Sequence, residues 1–152
     1  MLPQSNFTPP QYRILVAEDH AMLLESFTFY LRFKGFDVFP ASNGAAAMKI
    51  FQRGKEEGRP IDMLITDMDI PVMSGEELIS AIRTTDRYFP ILAMTNSLTP
   101  HEIQRIKRHG FVEFIDKPFR LSALHTHMEL LFRGGRLAPD VNMSQNVVHL
   151  YE

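Results

Sequence analysis

The strongest constraint on this chain is an alternation: five short apolar runs, each bounded by turn residues, are separated by segments in which apolar residues recur at helical spacing. The runs are Arg13–Ala17, Asp37–Ala41, Met63–Thr66, Ile91–Met94 and Val112–Ile115. Each is short enough to be a strand buried on both faces. Between them, Leu23, Leu24, Phe27 and Leu31 share one helical face, and the spacing returns at Ala47, Ile50 and Phe51, at Leu78, Ile79 and Ile82, and at Ile103 and Ile106. Leu121, Leu124, Met128 and Leu131 mark a fifth helix. Strand and helix in strict alternation predict an α/β fold, a doubly wound five-stranded parallel sheet of (βα)5 form with helices on both faces. The punctuation agrees. Ser42-Asn43-Gly44 and Ser74-Gly75 are helix starts, Thr99-Pro100 puts proline at the first helical position, and Gly35 and Gly110 are helix ends.

Composition narrows the function classes. The 152 residues, 45% hydrophobic and 22% charged, suit one buried core. A formal charge of −2 gives no bulk electrostatic reason for direct nucleic-acid binding. The chain has no cysteine, which excludes disulfides, thiolate metal sites and cysteine nucleophiles and makes a cytoplasmic setting the expectation. No run approaches the roughly 18 apolar residues of a membrane span, so membrane insertion is not expected. Residues 1–11 read as a flexible leader and 12–132 as the folded domain. Residues 133–152, with an apolar cluster at Val147, Val148, Leu150 and Tyr151, read as a C-terminal extension or the start of a linker.

Chemistry concentrates where strands end. Glu18 and Asp19 follow the first run; Asp67 and Asp69 follow the third. In an open parallel sheet, ligands bind beyond the carboxyl ends of the strands, where neighbouring connections leave to opposite faces. Carboxylates converging there repel one another unless a cation sits among them, and hard oxygen ligands suit Mg²⁺, with Mn²⁺ as a substitute. The fourth and fifth runs add Thr95 and Lys117 at the same edge. A carboxylate nucleophile, a metal, a lysine point charge and a hydroxyl donor are the parts that phosphoryl transfer to an aspartate needs.

With these residues in hand, the chain resembles the receiver domain of two-component response regulators. The matches are Ile14-Leu15-Val16-Ala17-Glu18-Asp19, Asp67-Met68-Asp69-Ile70-Pro71-Val72-Met73-Ser74-Gly75, Thr95 and Lys117-Pro118-Phe119, within residues 12–132. The resemblance implies a flavodoxin-like sheet of strand order 2-1-3-4-5. It implies Asp67 as phosphoacceptor, and Mg²⁺ held by Asp19 and Asp67, by Glu18 largely through water and by the Asp69 backbone carbonyl. Lys117 would contact the phosphoryl group after a cis peptide to Pro118. Thr95 and Phe114 would be the switch pair, signalling through the fourth helix, fifth strand and fifth helix. Implied partners are a sensor histidine kinase or histidine phosphotransfer protein upstream and a downstream protein target, with the chain a monomer or a phosphorylation-dependent dimer. Such a protein is no enzyme in the ordinary sense, since it catalyses only its own phosphorylation and dephosphorylation. A stand-alone regulator or phosphorelay intermediate is expected, or a receiver excised from a larger regulator.

Asn96, bulkier than the small residue often found after the threonine, is expected to narrow access to the site, and Asp69 and Ser97 stand where the family varies its phosphoryl lifetime. Taken singly, each of these carboxylates reads as a solvated loop residue, and only their joint order with Thr95 and Lys117 makes a site. His125 and His127, two apart on a helix, do not face each other. The nine methionines read as core filling or helix faces. Two other functions compete. An aspartyl-phosphate hydrolase of the haloacid-dehalogenase type also uses an Asp-x-Asp, but expects it at the first strand. A phosphorylation-independent interaction module would keep the scaffold without binding Mg²⁺.

Overall fold

In the computed structural model, which describes residues 11–135, five strands and five helices alternate along the chain. They are β1 (Arg13–Ala17), α1 (Ala21–Phe33), β2 (Asp37–Ala41), α2 (Gly44–Glu56), β3 (Met63–Asp67), α3 (Gly75–Thr85), β4 (Ile91–Thr95), α4 (Pro100–Lys107), β5 (Glu113–Asp116) and α5 (Leu121–Gly135). All four strand pairings are parallel, in the order β2-β1-β3-β4-β5. That is the predicted fold. The expected leader, most of the expected extension and the Val147–Tyr151 cluster lie outside the described residues, and among the described residues no helix is long and apolar enough to cross a membrane.

The sheet divides the core by the two-residue period of its strands. Leu15, Ala17, Leu64, Ile91 and Ala93 point to one face, where they meet Ala47 and Phe51 of α2, Leu78, Ile79 and Ile82 of α3, and Ile106 of α4. Ile14, Val16, Met63, Ile65, Leu92 and Met94 point to the other, against Phe27 and Leu31 of α1 and Leu124, Met128 and Leu131 of α5. Burying each of the larger of these side chains, the Val, Leu, Ile, Phe and Met ones, contributes roughly 1.5–3 kcal/mol, which is why the apolar runs are nearly continuous. The fifth helix outruns the expected domain end at 132 by three residues, to Gly135. Phe132 explains part of this: its ring stacks on Tyr12 at 4.2 Å and on Phe36 at 6.3 Å, fastening the last turn to the entry of the sheet.

Helix starts are set by side chains. Asn43 caps α2, and Ser74 and Thr99 form reciprocal capping boxes with Glu77 and Glu102 at α3 and α4. His20, directly after the acidic pair, caps α1 by accepting the Leu23 amide. Because α1 and α3, which follow the neighbouring strands β1 and β3, lie on opposite faces of the sheet, a crevice opens between the ends of those strands.

The connection from β3 to α3 is tightly made. The Met73 amide donates to the Pro71 carbonyl at 2.8 Å, closing a three-residue turn at Val72, whose φ is +72°. A β-branched residue in this region is strained by roughly 1–3 kcal/mol, and Val72, 81% exposed, makes little packing in return. Val72→Gly is expected to stabilise the fold by about 1 kcal/mol after the added unfolded-state freedom of glycine is counted. Urea unfolding measures it, and an unchanged or lower midpoint would show that the turn stores no strain.

Candidate functional site

Four strand ends deliver the site. Glu18 and Asp19 follow β1, Asp67 is the last residue of β3, Thr95 the last of β4, and Lys117 follows Asp116 at the end of β5. Glu18, Asp67 and Thr95 are buried, at 1%, 4% and 2% exposure, while Asp19 is exposed. The Lys117 ammonium lies between two of the carboxylates, donating to Glu18 Oε1 at 2.5 Å and to Asp67 Oδ2 at 2.8 Å. Backbone amides complete the ring: His20 donates to Glu18 Oε2 at 3.0 Å and Asp69 to Asp67 Oδ1 at 3.1 Å. The Lys117–Pro118 peptide is cis.

The charges are strongly coupled. Burial pushes the Glu18 carboxyl above its ordinary value of 4.5, and the negative charge of Asp67 adds to this; hydrogen bonds from Lys117 and the His20 amide oppose the rise without cancelling it. For Lys117 burial works against the charged form, yet the hydrogen bonds and negative charges of Asp67 and Glu18 outweigh it and raise its pKa. The ammonium therefore neutralises one carboxylate equivalent. Glu18, Asp19 and Asp67 each offer an oxygen, all within 4.8 Å of one another, so the site keeps a surplus of negative charge beside donors suited to a hard divalent cation.

The remaining expected residues are Asp69, Phe114, Asn96 and Thr95. The observed contact of Asp69 is through its amide, and its side chain is exposed. Phe114 is half-buried against the cluster on the α2–α3–α4 face. Asn96 is exposed just past β4. The hydroxyl of Thr95 does not turn to Asp67: it donates to Asp116 Oδ1 at 2.8 Å.

Asp116 was missed in the sequence. The signal that could have found it is lateral, because Thr95 and Asp116 are partners in the β4–β5 register and their side chains leave the same face of the sheet. Gly75 was recognised only as a helix start. A Cβ there would come within 2.6 Å of the Asp67 carbonyl oxygen and 2.7 Å of Met68 Cα, so α3 begins in direct contact with the backbone that carries the carboxylate.

The sequence pattern and the fold are shared with proteins already known. A model of the response regulator receiver domain matches residues 14–129. The chain belongs to the response regulator receiver family. The transcriptional regulatory protein PrrA of Mycobacterium tuberculosis is 30% identical over 121 residues, which is 80% of this chain and 50% of PrrA. The sensor protein EvgS of Escherichia coli is 30% identical over 131 residues, covering 86% of this chain and 10% of EvgS. The chain thus spans about half the length of one relative and about a tenth of the other. The structure of the chemotaxis protein CheY4 of Vibrio cholerae superposes with a TM-score of 0.72 at 25% identity, over 80% of this chain and 98% of that one. Receiver domains are phosphoacceptors that work with histidine kinases or phosphotransfer proteins rather than enzymes that turn over an external substrate.

Lys117→Met tests the electrostatics directly. Removing the ammonium leaves two buried carboxylates facing each other and is expected to cost about 3 kcal/mol near pH 7. Lys117 itself stays charged well below its raised pKa, whereas Glu18, whose folded pKa lies above 4.5, takes up its proton as pH falls and no longer needs a counter-charge. The loss should therefore shrink at about pH 4 when measured by urea unfolding; an equal loss at both pH values would show that Lys117 balances no carboxylate.

Proposed function

We propose that this receiver accepts a phosphoryl group on Asp67 from the phosphohistidine of a sensor kinase or phosphotransfer protein, with Mg²⁺ bound, and that the charge so created is read through α4, β5 and α5. The observation that carries the reading is the single lysine held between Glu18 and Asp67 at the edge of the crevice. Such a lysine positions a positive charge where phosphoryl oxygens would lie once transfer has occurred.

The donor set fits the metal. Three carboxylates and one ammonium leave a surplus that a divalent ion would balance, and every offered ligand is oxygen. Asp19 and Asp67 would hold the ion directly, Glu18 largely through water, and Asp69 through its carbonyl. When bound, the ion supplies neutralisation of the phosphoryl oxygens. The chain's own groups do the positioning. The Asp69 amide and Lys117 fix the Asp67 carboxylate by one hydrogen bond on each oxygen, leaving each oxygen further lone pairs. One such oxygen forms the new bond to phosphorus as the bond from phosphorus to the histidine nitrogen breaks; that nitrogen keeps the electron pair and takes a proton. Burial of Asp67 keeps bulk water at a distance, and the small amount of catalysis required is orientation and charge.

The added dianion then biases its neighbours. Thr95 is the nearest hydroxyl on the adjacent strand, and a donor drawn inward there would free space beside β4 that the Phe114 ring can enter. A downstream protein would recognise the altered α4–β5–α5 surface.

Incubation with phosphoramidate or acetyl phosphate and Mg²⁺, followed by intact mass, tests the reading. One phosphoryl group is expected on the wild type, and none on Asp67→Asn or in the presence of a chelator. A wild-type protein that takes up no phosphoryl group would overturn it.

A further inference from the structure

We propose that Asp116 is a positioning residue that holds the Thr95 hydroxyl away from Asp67, so that the phosphoryl group must win the hydroxyl proton from it before the receiver switches. This deepens the phosphoacceptor reading and rests on it.

The argument begins with the inventory of one hydroxyl. Thr95 is 2% exposed, so its single O–H has no access to bulk water and must find a partner in the protein. It finds the Asp116 carboxylate at 2.8 Å. A carboxylate only accepts, and phosphoryl oxygens only accept. One proton cannot serve both, so the Thr95–Asp116 hydrogen bond and a Thr95–phosphoryl hydrogen bond exclude each other.

Geometry makes the exchange a side-chain event. The Lys117 amide donates to the Thr95 carbonyl at 2.6 Å, which ties the ends of β4 and β5 together at the backbone. Thr95 and Asp116 are register partners across that pair. Turning the hydroxyl toward Asp67 therefore needs a change of the threonine rotamer rather than separation of the strands. The competing bond is charge-assisted and so among the stronger ones a hydroxyl can make. Asp116 is exposed, so its carboxylate has lone pairs for water beside the one that accepts from Thr95. The same strand end thus carries opposed residues: Lys117 favours the phosphoryl group, and Asp116 competes for the donor that would recognise it.

The test uses the full chain with Mg²⁺ and beryllofluoride, a non-covalent mimic of the aspartyl phosphate, titrated by fluorine NMR. Asp116→Ala leaves the buried hydroxyl unpaired in the resting protein and is expected to bind the mimic about tenfold more tightly than the wild type. Asp116→Asn, which retains a neutral acceptor, should gain less. In a Thr95→Val background the Asp116→Ala gain should vanish, because the effect runs through the hydroxyl. Equal affinity of Asp116→Ala and the wild type would overturn the proposal. So would a gain that survives in Thr95→Val, which would assign the effect to the charge of Asp116 alone.

A metal-free measurement stands beside it. The drops in urea midpoint for Thr95→Val and Asp116→Ala should sum to more than the drop in the double variant, as expected for partners in one hydrogen bond; strictly additive drops overturn the proposal. A wild type that neither binds the mimic nor takes a phosphoryl group from phosphoramidate would instead overturn the phosphoacceptor reading itself.

Discussion

Two carboxylates buried at one edge of a sheet, Glu18 and Asp67, are compatible with a folded chain because a lysine ammonium lies between them. Much else follows from that contact. It joins the end of β1 to the end of β3 through a residue that follows β5, and so spans a sheet in which β5 touches neither strand. It also sets the resting charge of the crevice. With one positive group among three negative ones, the pocket is neither neutral enough to be indifferent to cations nor so acidic that the strand ends are driven apart.

The sheet register is what makes such a contact possible. Asp67 pairs with Met94 and Thr95 with Asp116, so the strand ends are staggered by fixed steps and their side chains arrive at a common level. The alternating core then fixes direction as well as level. Ala17, Leu64 and Ala93 belong to one face, Val16, Ile65 and Met94 to the other, and a slip of one residue in any strand would send the side chain at its end to the wrong side. The apolar packing of the helices is thus also the positional control of the polar site.

Legibility in the sequence follows the range of the forces involved. The strand positions were largely readable because burial on two faces writes itself into short apolar runs: β5 lies one residue later than its expected run, at Glu113–Asp116, β1 and β2 coincide with theirs, and β3 and β4 extend one residue further. Those extra residues are Asp67 and Thr95, polar in type but still paired through their backbones. The acidic cluster and Lys117 were readable because strand order and chain polarity bring their positions to one edge. The hydrogen-bond partner of Thr95 was not, since it depends on which residue of the next strand lies opposite, a relation with no trace in local spacing. The strained turn at Val72 was equally hidden, because valine is the wrong residue from which to infer a positive φ.

Gly44 and Gly75 mark the most crowded wall of the site. A side chain on Gly44 would overlap the Met73 carbonyl, and one on Gly75 would press on the backbone of Asp67, so the β3–α3 connection is wedged between the starts of two helices with no room for even a methyl group. On the opposite flank, Asn96 and Ser97 face solvent. The crevice therefore has one wall whose backbone admits no added side chain and one that faces solvent, so the β4 side can accept substitutions that the β3–α3 side would reject.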